Sequence, residues 1–331
     1  MTETLQRTWP ELDEVIGDIR RIIGDAQDIG CLTHIHADAD SLGSALGFAE
    51  AIRAMGKRSH VIVPTPIPHL LEYLPGYDTI EVDPAPVDAL FTFDCANVSR
   101  FGDKAPLVGE IANVVNVDHH VSNEGFGTVK LVEPAASATG QVVFKLLSAL
   151  GAPVPPAAAT NLYAALFTDT GGFRHENTTE EALRLGAELV RLGADAPWVA
   201  MKSYKSRSVG QVRLEGLAIN RLRAELDGTL IWSEVTSGML AEAGASNEET
   251  EGLVDMLQSI DTMKLAVLFK EDSDVTKLSV RSREPYDATV LCTPFGGGGH
   301  RRAAGAEVRR PLPETRDRVL AVARELIQGR G

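Results

Sequence analysis

Acidic and imidazole side chains recur in this chain at spacings that suit cation chemistry. The run His34-Ile-His36-Ala-Asp38-Ala-Asp40 comes first, then Asp94 closing Leu90-Phe-Thr-Phe-Asp, then Asp118-His119-His120, then Asp169 in Phe167-Thr-Asp169-Thr-Gly-Gly. Carboxylates and imidazoles are the groups that hold divalent metals such as manganese and magnesium. Two such ions about 3.5–4 Å apart activate water and hold a phosphoryl oxygen, which is two-metal hydrolysis. Each ion needs several ligands, so several loops must converge. A glycine run, Phe295-Gly-Gly-Gly-Gly-His300, follows near the C-terminus.

Taken singly, each run has a plainer reading. Asp38 and Asp40 suit a helix N-cap and its first turn, and Asp94 suits a cap as well. Asp-His-His arises often by chance, Phe-Thr-Asp-Thr-Gly-Gly suits a turn, and four glycines suit a linker. Their occurrence together, in order, at the ends of apolar runs argues for a shared site.

The elements that must position these residues read as an α/β fold. Val15, Ile16, Ile19, Ile22 and Ile23 have helical spacing after Pro10. A strand near 30–33 enters the first run, and Ser41 is the expected N-cap of the next helix, which ends near Gly56. Short runs rich in Val, Ile and Phe at 60–63, 89–93 and 113–117 predict buried parallel strands. Helices are expected at 137–150, 156–167 and 179–192. Asp38, Asp94 and Asp118 thus each follow a strand, at the edge where open α/β sheets bind ligands. Residues 1–194 form the expected catalytic domain, a mainly parallel sheet flanked by helices, and 195–224 a helical linker. Residues 225–331 form a smaller α/β domain with strands near 230–235, 263–269 and 276–281. Its expected helices lie at 247–260 and 313–327, with a small-residue helix start at Ala303-Ala304-Gly305.

The 331 residues carry a net charge of -14. That balance opposes a grip on long nucleic acid, which needs a basic track. From Arg281 onward the chain holds ten arginines, no lysine and six acids, a local +4 that leaves -18 for the rest. Arginine's planar fork suits phosphate, although a solvated ion-paired surface explains the same residues. Cys31, Cys95 and Cys292 lack paired spacing, so a reducing, cytoplasmic setting is expected. No secretory signal and no membrane span are expected either.

The ordered set resembles the DHH phosphoesterase superfamily, and Gly296-Gly-Gly-Gly-His300-Arg301-Arg302-Ala-Ala-Gly305 is similar to its DHH-associated domain. Length and order resemble the stand-alone branch, bacterial nano-RNases that also dephosphorylate 3'-phosphoadenosine 5'-phosphate (pAp). The resemblance implies one cation held by His34, Asp38 and Asp94, and a second held by Asp40, Asp94, His119 and Asp169. Manganese suits this mixed set, with magnesium or cobalt tolerated. It also implies that Asp118 orients a histidine and that His120 contacts the scissile phosphate. Arg281, Gly297, Gly298, Gly299, His300 and Arg301 are the implied substrate contacts, with Arg174 and Arg100 as further candidates. His36 stands where the family often has Asn and reads as a loop residue.

The implied activity is manganese-dependent hydrolysis of short RNA and pAp in a cleft between the domains, without a covalent intermediate. Low aromatic content, 5%, leaves few stacking platforms for a long strand. Alternatives are hydrolysis of cyclic di-AMP or linear pApA, or a non-catalytic nucleotide sensor. A homodimer is compatible with the family.

Overall fold

Five-residue runs rich in Phe or Val build the centre of the first sheet, where aromatic and β-branched side chains pack on both faces. The computed structural model describes residues 10–65, 67, 69–205, 207–250 and 252–329. The chain divides into two units, Met1–Ser206 and Arg207–Gly331.

The first unit runs α1 (Pro10–Asp25), β1 (Asp28–Leu32), α2 (Ala39–Ala54), β2 (Arg58–Ile62), β3 (Ile80–Glu81), β4 (Ala89–Phe93), α3 (Leu107–Glu110), β5 (Val114–Asp118) and β6 (Val129–Val132). The helices α4 (Thr139–Leu150), α5 (Pro156–Asp169), α6 (Glu180–Arg191) and α7 (Ala196–Lys205) complete it. Its sheet is parallel throughout, in the order β3-β2-β1-β4-β5-β6. Strand order reverses between β1 and β4, so the loops after these two strands diverge and leave a crevice. Those loops carry the first acidic run and Asp94.

The N-cap of α2 is Asp38, not Ser41. The Asp38 carboxylate accepts from the Ser41 amide at 2.9 Å, and Ser41 Oγ donates instead to the Phe93 carbonyl. A carboxylate three residues earlier satisfies the free amide and the helix dipole better than a hydroxyl one turn inside. Almost every residue of α2 is buried, so the helix has no polar face. Gly43 and Gly47 let it lie close to α5: a Cβ at Gly43 would sit 2.6 Å from the Asn161 carbonyl oxygen.

The second unit comprises α8 (Val209–Asn220), β7 (Arg223–Glu225), β8 (Leu230–Val235), α9 (Ser237–Ala243), α10 (Leu253–Gln258), β9 (Leu265–Asp272), β10 (Val275–Ser282), α11 (Ala288–Cys292), β11 (Gly298–His300), β12 (Ala303–Val308) and α12 (Leu312–Ile327). Its sheet order is β11-β12-β10-β9-β8-β7, with only β8 and β9 parallel. Two expectations are corrected here. Ala303-Ala304-Gly305 begins β12 rather than a helix, because Ala304 and Ala306 alternate into the core in a strand's period of two. The single helix expected over 247–260 is instead a turn at Glu248–Thr250 followed by α10, with Gly252 at φ +76 between them. Left-handed backbone there ends one element and starts the next. Among the described residues no helix is long and apolar enough to cross a membrane.

Candidate metal centre

The carboxyl ends of β1, β4 and β5 and the end of α5 bring their side chains together. His34 follows β1, Asp38 and Asp40 open α2, Asp94 follows β4, His119 and His120 follow β5, and Asp169 closes α5. Three groups of potential ligand atoms each lie within 4.8 Å: His34 with Asp38 and Asp94, Asp94 with His119 and His120, and Asp40 with His119 and Asp169. The two oxygens of Asp94 face different ways. Its Oδ2 lies 3.5 Å from His34 Nε2, and its Oδ1 lies 3.5 Å from His119 Nε2. His119 Nε2 is also 3.7 Å from Asp40 Oδ2 and 3.9 Å from Asp169 Oδ2. Asp94 has φ +59, a left-handed conformation that Asp tolerates better than most residues and that aims its carboxylate into the group.

The imidazoles are set as cation ligands need them. His34 Nδ1 lies 2.7 Å from its neighbour's carbonyl (Ile35), and His119 Nδ1 lies 3.2 Å from the Ala136 carbonyl. With Nδ1–H donating in each case, the Nε2 lone pair turns toward the acids. His120 differs. Its Nδ1 is 2.7 Å from Asp118 Oδ1, so the histidine that Asp118 orients is His120. Asp118 is wholly buried and also accepts from the His119 amide and from Asn123 Nδ2. Burial opposes charge on His120, but Asp118 and Asp94 outweigh it and push the pKa up to about 9.

The acids crowd one another. Burial, then Asp94, Asp169 and Asp38, raise Asp40 well above the usual carboxylate range. Burial pushes Asp169 up to about 7, with Asp94 and Asp38 adding and His119 opposing. Burial also disfavours charge on Asp94, yet His34, His119 and His120 hold it down at about 2. Buried like charges of this kind call for a metal counter-charge, and the donor set of imidazole and carboxylate fits divalent ions. A consequence is measurable. A carboxylic acid gives up its proton when it ligates a metal, so if Asp169 is one of the ligands a divalent cation added to metal-free protein releases more protons at about pH 6 than at about pH 8.5. Calorimetry in buffers of different ionisation enthalpy reads this, and equal release at both pH values would contradict the assignment of Asp169.

Comparison with known proteins bears on the same residues. A model of the DHH family, N-terminal domain, matches residues 28–166, and a model of the DHHA1 domain matches residues 227–329. A Thermus thermophilus protein named bifunctional oligoribonuclease and PAP phosphatase NrnA is 32% identical over 324 residues, which cover 96% of this chain and 95% of the relative.

The chain belongs to the DHH family.

A Bacillus subtilis protein of the same name is 26% identical over 279 residues, covering 83% of this DHH chain and 87% of its own. The crystal structure of an exopolyphosphatase-related protein from Bacteroides fragilis shares the DHH fold, with a TM-score of 0.89 and 23% identity over 99% of this chain and 100% of the other. DHH phosphoesterases depend on divalent metals, and every residue of the three candidate ligand groups except Asp169 falls within the matched segment 28–166.

Other residues singled out in the sequence are placed as follows. Arg100 stands beside the centre, with Nη2 3.2 Å from His34 Nδ1. Arg174 Nε donates to the Gly171 carbonyl at 2.5 Å, in the turn that follows Asp169. His36 is exposed, at φ +55, and lies in none of the three ligand groups. In the DHHA1 unit, Gly298, Gly299 and His300 form the edge strand β11, and Gly297 leads into it. A Cβ at Gly297 would meet the Gly305 carbonyl oxygen at 2.1 Å, so glycine is what lets this edge lie against β12. Arg281 pairs with Asp255 at 3.0 Å, and Arg301 and Arg302 both reach Glu284. Arg310, Arg316 and Arg324 also pair with carboxylates. Much of the basic tail is therefore an ion-paired surface.

Sequence reasoning passed over the segment from Ala136 to Gly140, whose carbonyls, amides and one hydroxyl touch the acids and His119. Its only sequence signal was a predicted helix start, and a helix start alone does not say which anion it meets. Asn123 and Asn177 were missed for the same reason: their partners lie on other elements or in loops.

Proposed function

We propose that this DHH protein is a manganese-dependent phosphoesterase that hydrolyses short oligoribonucleotides and pAp to mononucleotides. The observation that carries the reading is Asp94, whose two oxygens face two different ligand groups. The names of relatives that match most of the chain support the substrate class.

In this reading His34, Asp38 and Asp94 hold one cation, and Asp40, Asp94, His119 and Asp169 hold the other. Bound there, divalent ions supply Lewis acidity that makes water a nucleophile near neutral pH and offsets phosphoryl charge. The chain's own groups do the rest. Asp118 keeps His120 Nδ1 engaged, so the opposite ring nitrogen donates to a phosphoryl oxygen or to the leaving group. Arg100 and Arg174 add positive charge for equatorial oxygens. In the DHHA1 unit, Arg281, His300, Arg301 and the amides around Gly297, Gly298 and Gly299 recognise the terminal phosphate or base, since glycine lets backbone N–H groups approach an anion. A covalent route through Cys95 is disfavoured. Burial pushes that thiol up to about 12, and its Sγ donates to the Asn97 carbonyl. Three free, buried cysteines support a cytoplasmic setting.

Parallel assays with manganese on pAp, a diribonucleotide, an RNA of some two dozen nucleotides and cyclic di-AMP test the proposal. The diribonucleotide and pAp turn over fastest. Fastest turnover of the long RNA overturns the short-substrate reading. Fastest turnover of cyclic di-AMP makes the chain a cyclic dinucleotide phosphodiesterase, and binding of any of them without turnover makes it a sensor.

A further inference from the structure

The five residues from Ala136 to Gly140, at the start of α4, hold metal-centre residues that come from four other elements. The Ala136 carbonyl accepts a hydrogen bond from His119 Nδ1–H at 3.2 Å. The Ser137 carbonyl accepts from Asn177 Nδ2 at 3.0 Å, and the same Nδ2 lies 3.3 Å from Asp169 Oδ2. The Thr139 and Gly140 amides donate to Asp40 Oδ2 and Oδ1 at 2.8 and 3.0 Å. The Thr139 hydroxyl donates to Asp94 Oδ1 at 2.9 Å. Thr139 is wholly buried, and it alone in the segment bonds to both Asp40 and Asp94.

We propose that Thr139 is a positioning residue whose hydroxyl sets the plane of the Asp94 carboxylate, and thereby lets one side chain serve two cations. This rests on the two-cation reading above. The terminal torsion of an aspartate is broad and roughly two-fold, so nothing within the side chain itself decides where each oxygen points. A donor fixed on Oδ1 decides it. Oδ1 then stays on the side of His119, and Oδ2 stays turned to His34 and Asp38. Thr139 can serve as that fixed donor because its own backbone is pinned to Asp40 and its β-branched side chain has few rotamers. The division of labour is specific: the amide of Thr139 holds one acid and its hydroxyl orients the other.

Thr139→Val keeps shape and amide but removes the donor, and Thr139→Ser keeps the donor. Metal-free wild type and both variants are titrated with manganese, followed by electron paramagnetic resonance for stoichiometry and affinity, with thermal melting measured alongside. Wild type binds two ions per chain. Thr139→Val melts close to wild type without metal, yet binds one ion on the order of 10–100-fold more weakly, with kcat on pAp reduced similarly and KM little changed. Thr139→Ser restores both. If Thr139→Val binds both ions as wild type does, or Thr139→Ser is as impaired as Thr139→Val, the proposal is wrong while the two-cation centre stands. If wild type itself binds no manganese, the centre and this inference fail together. Should Thr139→Val not fold, Ser against Ala at the same position carries the same comparison.

Discussion

Replacing Asp94 with Asn is expected to abolish metal-dependent hydrolysis, lowering kcat by at least about a thousandfold, or about 4 kcal/mol of transition-state stabilisation. Asn is the right probe because the backbone at residue 94 is left-handed, φ +59, which Asn adopts about as readily as Asp. The loss therefore does not come from new backbone strain. It comes from removing the charge that both ligand groups share, since the side chain lies between His34 on one side and His119 on the other. The metal-free variant keeps its fold but melts somewhat lower, because His34, His119 and His120 favour the Asp94 charge and that contribution is lost. Circular dichroism and melting report that, and manganese titration reports weakened binding at both subsites. Asp94→Asn turning over pAp within tenfold of wild type would remove Asp94 from the chemistry.

Gly43→Val is expected to have the largest effect on stability. A Cβ at Gly43 meets the Asn161 carbonyl oxygen at 2.6 Å and Ala165 at 3.4 Å, so α2 must move off α5. Overpacking costs about 1–3 kcal/mol, and a contact against backbone rather than a yielding side chain places this variant at the upper end. Melting should fall by roughly 6–12 °C for a unit of this size. Metal binding should fall as well, because α2 starts at the Asp38 cap and carries Asp40, while α5 ends in Asp169. Gly17→Ala in α1 is the control. Nothing lies within 4 Å of its Cβ, so the better helix propensity should add up to about 1 kcal/mol. Wild-type melting of Gly43→Val would mean that the helices tolerate a wider separation and that their close contact does not hold the centre.

The contrast between these two glycines shows where a sequence stops being legible. Both sit inside helices, and their sequence neighbourhoods do not separate them. Only the helix packed across from Gly43 makes it irreplaceable. The strands 89–93 and 230–235 were readable to the residue, since a short buried run between turn residues is a local pattern. The two-residue strand β3 and the edge strand β11 carry no such pattern, and neighbouring strands define them. The cap of α2 shows the same limit: Asp38 and Ser41 are both good capping residues, and the fold of the loop chose between them.

By itself the sequence determined the chemistry. The residue types able to hold a metal, their order along the chain and their positions near the ends of β1, β4 and β5 are legible from residue identity and short-range periodicity, while their roles as ligands are what the family resemblance implies. Tertiary structure alone decided the pairings: that Asp118 holds His120, that Arg301 and Arg302 meet Glu284, and that Thr139 reaches Asp40 from 99 positions away. The reason is physical. Hydrogen-bond partners of buried polar groups are set by which elements are brought to within about 3 Å of one another, and a local pattern holds no information about that distance.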